Sequence, residues 1–229
     1  MNPAVRKSRA APRAAPKRRA PGRPAGGTPS QREALIDAAR ECFARHGFAA
    51  ASLRQVAQEA RVTPALAHYY FTTKEGLLAA VVEERIAPLV AEVLAALSAE
   101  AQEPVAALRA FVREYSRVAA MNPWLPRLVL REVLSDGGAL REQFQSRFAS
   151  QIAGRLRALV VAGQKSGSID GSLDPSRVML SVASLCLFPF VAAPLVSGVL
   201  GVKITPDAVP ALVDHHLAVL TRGIGRLEE

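Results

Sequence analysis

From Ser30 onward, apolar residues recur every three or four positions, and nowhere do they alternate two by two over a useful length. That period belongs to helices packed on one face. The first stripe is Leu35, Ile36, Ala39, Cys42 and Phe43. It is opened by Ser30-Gln31-Arg32-Glu33, a capping box, and closed by Gly47. A second box, Ser52 to Gln55, opens a short helix carrying Leu53, Val56, Ala57 and Ala60. Thr63 then caps a third helix with Pro64 at its first position, running to about Tyr70. Thr72 with Glu75 predicts the start of a fourth, long helix through about Leu97.

Beyond it, Pro104 opens a helix with Val105, Leu108, Phe111, Val112, Tyr115 and Val118 on one face. Met121-Asn122-Pro123-Trp124 breaks it, and a short helix follows to about Leu134. After the turn at Asp136-Gly137-Gly138 comes a long stripe of Leu140, Phe144, Phe148, Ile152, Leu156 and Leu159. Asp174 and Pro175 start an uncharged helix that reaches about residue 200 and is expected to bend at its prolines. Thr205-Pro206 starts the last. The reading is all-α, nine helices, with no strand and no fixed repeat.

Composition adds one asymmetry. Of the net charge of +9, nearly all sits in residues 1–30, which hold eight basic residues and no acid; the remainder carries 21 basic against 20 acidic residues. A basic tail rich in proline and alanine on a neutral body is expected to lack a packed core and to meet an anionic partner. It reads either as a solubilising arm or as a minor-groove arm led by Arg18, Arg19 and Arg23. Cys42 and Cys186 belong to no CxxC pair and read as reduced core thiols of a cytoplasmic protein. Residues 178–202 carry no charge and are long enough to span a bilayer, but Pro189 and Pro194 interrupt them. The preferred reading is a helix pair buried by its own domain and by a partner chain, with no membrane.

The chemistry lies between Ser52 and Leu78. Two short helices joined by a tight turn around Val62 form the helix-turn-helix pattern, whose second helix lies in the DNA major groove. Ala67, Tyr70 and Phe71 fall inward with Val62, leaving Pro64, Ala65, Leu66, His68 and Tyr69 outward or sideways. Lys74, in the first turn of the next helix, makes an anion site with the free N–H groups there, and Tyr69 and His68 can donate to a neighbouring phosphate. The triplet Pro64-Ala65-Leu66 has no side-chain donor, so base reading leans on thymine methyls and on Arg54.

Residues 32–78, with "IDAARECFARHGF", "ASLRQVAQEARVT" and "HYYFTTKEGLL", resemble the DNA-binding domain of the TetR family of one-component transcriptional regulators. The resemblance implies a repressor homodimer joined through its last two helices, a double-stranded DNA operator as partner, and a small-molecule inducer held inside each regulatory domain. The family's DNA contacts fall on Ser52, Leu53 and Arg54, then on Thr63, Pro64, Ala65, Leu66, His68, Tyr69 and Tyr70, with Lys74 on phosphate. Arg61 and His68 depart from the family's usual glycine and tyrosine. The chain divides accordingly into a tail (1–29), a helix-turn-helix domain (30–76) and a ligand-binding and dimerisation domain (77–229). Phe111, Tyr115, Trp124, Phe144, Phe148 and Phe188 are the candidate pocket residues, and predict an apolar or amphipathic inducer such as a drug, a fatty-acyl or aromatic compound, or a quinone-like metabolite.

Two rival readings stand beside this one. A nucleoid-type protein would bind DNA through the basic arm alone, without a ligand. A helical enzyme would need a catalytic constellation, and the sequence has no GxSxG, Walker A loop or HExxH, and no paired carboxylates in a context that suits catalysis. No catalytic residue, metal ligand or cofactor is therefore expected. His215-His216 is adjacent rather than at ligand spacing.

Overall fold

The computed structural model describes residues 30–99 and 102–224. The tail arginines Arg18, Arg19 and Arg23 lie outside the described residues. Within them the chain is all-helical, with ten helices. The head holds α1 (Gln31–His46), α2 (Leu53–Glu59) and α3 (Pro64–Tyr70). The long α4 runs as Lys74–Val81, a π-bonded turn at Val82–Ile86, and Ala87–Ala99. It is followed by α5 (Pro104–Met121) and by α6, made of Trp124–Val129 and a π turn at Leu130–Leu134. Helix α7 comprises Arg141–Phe144, a π turn at Gln145–Ala149, and Ser150–Ser166. Helices α8 (Pro175–Val191), α9 (Ala193–Leu200) and α10 (Val209–Ile224) complete the body.

The caps are those the sequence announces, with two shifts. Ser30 Oγ accepts from Glu33 N while Glu33 Oε2 accepts from Ser30 N, closing the box. Ser52 Oγ accepts from Gln55 N and Thr63 Oγ1 from Leu66 N. At α4, Thr73 rather than Thr72 is the cap, because its extended backbone aims Oγ1 at Gly76 N, 3.1 Å away. At the other end, residues 205–208 form a turn, and α10 begins only at Val209.

The expected ninefold count fails at the uncharged segment. Pro189 is buried inside α8 without breaking it. The break comes at Ala192, and α8 and α9 meet at 82°. Pro194, in the first turn of α9, has no N–H to continue α8 and starts a new helix instead. Among the described residues no single helix is long and apolar enough to cross a membrane.

Two apolar clusters organise the packing. One centres on Leu35, Ile36, Phe43, Val56 and Leu77 of the head and continues without interruption into Val81, Val82 and Ile86 of α4, Trp124 and Leu128 of α6, and Phe148 of α7. The other joins α5, α7, α8 and α10 through Leu108, Val112, Val160, Val182 and Val213. Two ion pairs fix α1 against α4, Arg32 with Glu84 and Arg85 with Asp37. The Arg40 guanidinium stacks over Trp124 of α6 at 5.3 Å. The head is thus held by the same two helices, α4 and α6, that shape the interior of the body.

Candidate DNA interface and ligand cavity

Helix α3 is bound to the head by a narrow seam. Ala67 is fully buried and Phe71, just past the helix end, is 6% exposed. The Arg32 guanidinium lies 5.3 Å from the Phe71 ring. Pro64, Ala65, His68 and Tyr69 face solvent, and Leu66 is half-buried. Tyr70, expected inside, is 37% exposed; its ring meets that of Tyr69 edge-on at 5.3 Å. A seven-residue helix has only about two turns, so its inward stripe holds Ala67 and little else. The pair of phenols therefore forms an outward ridge.

The turn before α3 is strained. Arg61 has φ 56°, the only positive φ at a non-glycine residue among those described. Its side chain is exposed, as is that of Arg54 on α2. Ser52 and Thr63 are exposed as well, with their hydroxyls engaged as the caps of α2 and α3. Leu53 is half-buried beside Arg54 and packs on the head core.

Lys74 is placed differently from expectation. Its Nζ donates to the carbonyls of Phe48 (2.7 Å), Ala51 (2.9 Å) and Ala49 (3.2 Å), and lies 4.4 Å from the centre of the Phe48 ring. Three donors meet three acceptors, so the ammonium is spent on the corner joining α1 to α2 rather than left free for a phosphate. It fixes the segment that leads into Ser52, Leu53 and Arg54.

Inside the body, α4, α5, α6 and α7 enclose a small cavity of about 60 Å³. It is lined by Ile86, Leu89, Val90 and Val93 of α4, Val118 and Ala119 of α5, Leu125, Pro126 and Val129 of α6, and Phe144 and Ile152 of α7. Tyr115 is the one lining residue with a polar side-chain atom. Burial drives its phenol well above the ordinary range, so it stays protonated and able to donate. A wider open cleft of about 540 Å³ lies behind the same wall, sharing Ala119 and Pro126 with the cavity and bordered by Arg127 and Lys203.

The profile of bacterial regulatory proteins of the tetR family matches residues 35–81, and that of the tetracyclin repressor-like C-terminal domain matches residues 104–219. The chain belongs to the TetR family. This regulator is 27% identical to the HTH-type transcriptional regulator BetI of Rhizobium meliloti over 192 residues, covering 84% of this chain and 92% of the relative. It is 28% identical to the HTH-type transcriptional repressor NicS of Pseudomonas putida over 161 residues, 69% and 74% of the two chains. The structure of FadR from Bacillus subtilis in complex with stearoyl-CoA shares its fold, with a TM-score of 0.65 at 19% identity over 83% of this chain and 98% of that one. As a TetR-family protein it is a helix-turn-helix DNA-binding transcriptional regulator.

Of the six aromatic residues expected at the pocket, Tyr115 and Phe144 line the cavity of this TetR-family regulator. Phe148 stands one turn deeper, in a satellite void that shares Ile86 and Phe144 with it. Phe111 is buried behind Tyr115, ring centres 6.1 Å apart, and Trp124 is buried under Arg40. Phe188 is corrected outright: it is 55% exposed on the outside of α8. With Leu180, Leu195, Val199, Leu200 and Val219 it belongs to the exposed apolar residues of α8, α9 and α10. The sequence showed that the segment was apolar throughout, but not which side of it the body would cover. Cavity residues such as Leu89, Val93 and Val129 were missed because aliphatic positions on four helices look alike until packing selects them. Cys42 and Cys186 are free and buried, and burial pushes their thiols up to about 11 and about 12. On α10, His215 is exposed and His216 buried, so the two do not share a face.

Proposed function

We propose that this protein is a dimeric repressor released from its operator by an apolar or amphipathic small molecule with one hydrogen-bonding group. The observation that carries the reading is the cavity between α4, α5, α6 and α7, apolar throughout except for the neutral phenol of Tyr115. At about 60 Å³ it is too small for an inducer as it stands; drug-sized sites are roughly 300–1,000 Å³. A ligand must therefore push its walls apart, and α4 and α6 are the walls that also hold the head. This links occupancy to head position, because only a ligand that prefers one arrangement shifts the balance between two. The FadR structure solved with stearoyl-CoA supports a fatty-acyl chain among the compounds to try first, and the name of NicS supports the sign of regulation.

In this reading the operator is held by the Tyr69–Tyr70 ridge and His68 on the backbone, by Pro64, Ala65 and Leu66 against thymine methyls, and by Arg54 on base edges. Ser52, Leu53 and Thr63 bring the N-termini of α2 and α3 to phosphate. The second protomer covers the apolar face of α8 and α10, pairing the heads for two half-sites in cytoplasmic DNA. The test is fluorescence anisotropy on the DNA upstream of the gene, beside a scrambled duplex and across a salt series. Fatty acids, acyl-CoA esters, aromatic compounds and quinones are then screened by thermal shift. Selective binding released by a compound that raises Tm is the expected result. Stabilisation by highly charged polar compounds alone would refute the cavity reading. Equal, steeply salt-dependent binding to both duplexes would favour the nucleoid-type alternative.

A further inference from the structure

Glu132 is the one carboxylate that the apolar run Leu128 to Leu134 carries, and it is 6% exposed. A buried carboxylate needs partners, and this one finds them on opposite sides. Oε1 accepts from the backbone N–H of Phe48, 84 residues away in the head, at 2.8 Å. Oε2 accepts from Ala139 N at 3.0 Å, and the Glu132 carbonyl accepts from Leu140 N at 3.0 Å. Both neighbours make room for it with glycine. A Cβ on Gly47 would stand 3.3 Å from Glu132 Oε1, and one on Gly138 only 2.4 Å from the Glu132 carbonyl oxygen. Gly47 also sits at φ 83°, in the left-handed region.

The two sides have different dependencies. On the body side, Glu132 lies within the π turn that directly follows the cavity residue Val129, and the 135–140 turn leads into Phe144, which lines the cavity. On the head side, Phe48 is the same residue whose carbonyl and ring are held by Lys74 of α4. The corner at 47–51 is thus gripped by an anion from α6 and a cation from α4, and both helices wall the cavity. From that corner the chain passes directly to Ser52, Leu53 and Arg54.

We propose that Glu132 is the positioning residue through which the state of the cavity reaches the DNA-reading head. Its carboxylate ties the Phe48 amide to the end of the cavity wall, so that displacement of Val129 or Phe144 moves the α1–α2 corner. The proposal rests on reading the cavity as the inducer site. It assigns the coupling to one bridged carboxylate rather than to the general packing of α1 on α6.

The test needs no knowledge of the inducer. Val118→Phe, on α5, fills the cavity from a helix that carries neither Glu132 nor Lys74, and stands in for a bound ligand. The probe is the duplex that the wild-type protein enriches from a random-sequence library. Wild type, Val118→Phe, Glu132→Gln and the double variant are compared in anisotropy, with thermal melts confirming that each is folded. Val118→Phe should weaken DNA binding about tenfold, within the usual range of coupling between sites. In the Glu132→Gln background the same substitution should change affinity less than about twofold, a non-additive cycle. Multiplicative effects of the two substitutions would overturn the role of Glu132 and leave the inducer cavity standing. A folded Val118→Phe that binds DNA like wild type would overturn both. Hydrogen exchange on Val118→Phe alone gives a second reading, independent of any change at Glu132. The Phe48 and Ala139 amides should exchange faster together while those inside α2 keep their protection, and unchanged protection at Phe48 would refute the bridge.

Discussion

Replacing Lys74 with alanine separates a structural lysine from a phosphate-binding one. The substitution removes two part-buried charged hydrogen bonds, to Phe48 O at 2.7 Å and Ala51 O at 2.9 Å, and an exposed one to Ala49 O. It also removes the ammonium from the face of the Phe48 ring. The exposed carbonyl regains water at little cost. The two part-buried bonds are each worth about 1 kcal/mol after discounting for exposure, and the ring contact about 0.5–1 kcal/mol. The sum is about 2.5–3 kcal/mol, or a fall in Tm of about 5–12 °C for a chain of this length. Lys74→Met, which keeps the aliphatic stem, should lose nearly as much. DNA affinity should fall too, because the corner that presents Ser52, Leu53 and Arg54 is loosened. The slope of log K against log salt should nevertheless hold, since no phosphate contact has gone. A true phosphate ligand would lower that slope by about 0.9 and leave Tm nearly unchanged. That pattern, read from anisotropy at four or five salt concentrations beside a thermal melt, would refute the assignment.

Four further outcomes are expected. Arg61→Gly relieves the one left-handed non-glycine residue among those described and should stabilise the protein by about 1 kcal/mol in denaturant unfolding. Arg54→Ala should relax base preference at one operator position by about 1–3 kcal/mol, measured on a panel of single-substitution duplexes. Phe188→Glu places a charge on the exposed apolar side of α8 and should convert dimer to monomer in light scattering, with loss of operator affinity. His216 is held below its ordinary pKa, first by burial and then by His215. The unfolded chain therefore binds its proton more readily, so stability should fall as pH drops through about 6.5. His216→Gln should flatten that part of the melting-temperature profile.

The helices, their caps and the reading head were legible in the chain because each is a local matter. A Ser or Thr followed by a free N–H makes a cap wherever it stands, and a 3.6-residue stripe makes a helix face before anything packs on it. Arg61 stood out in the sequence only through the resemblance, where the family usually has glycine; its φ of 56° is the structure's finding. The exceptions are small displacements of such local signals. Thr73 replaced Thr72 as the cap through one residue's backbone angle, and Tyr70 turned outward because a two-turn helix has little inner face.

What the chain could not disclose was decided by contacts between distant segments. Lys74 in a sequence that fits an anion site looks like a phosphate ligand; only the fold brings the carbonyls of residues 48–51 to its ammonium. Glu132 looks like a surface acid in an amphipathic helix until Phe48 and Ala139 close on it. Phe188 and Phe144 are both aromatic residues on helical stripes, yet one lines a cavity and the other faces out. Sequence by itself determined the family and the all-helical architecture, since these follow from short-range propensities and a motif of fixed spacing. Tertiary structure alone decided the cavity, the apolar face left open and the joint between body and head, because burial and pairing are properties of the neighbours a residue acquires on folding.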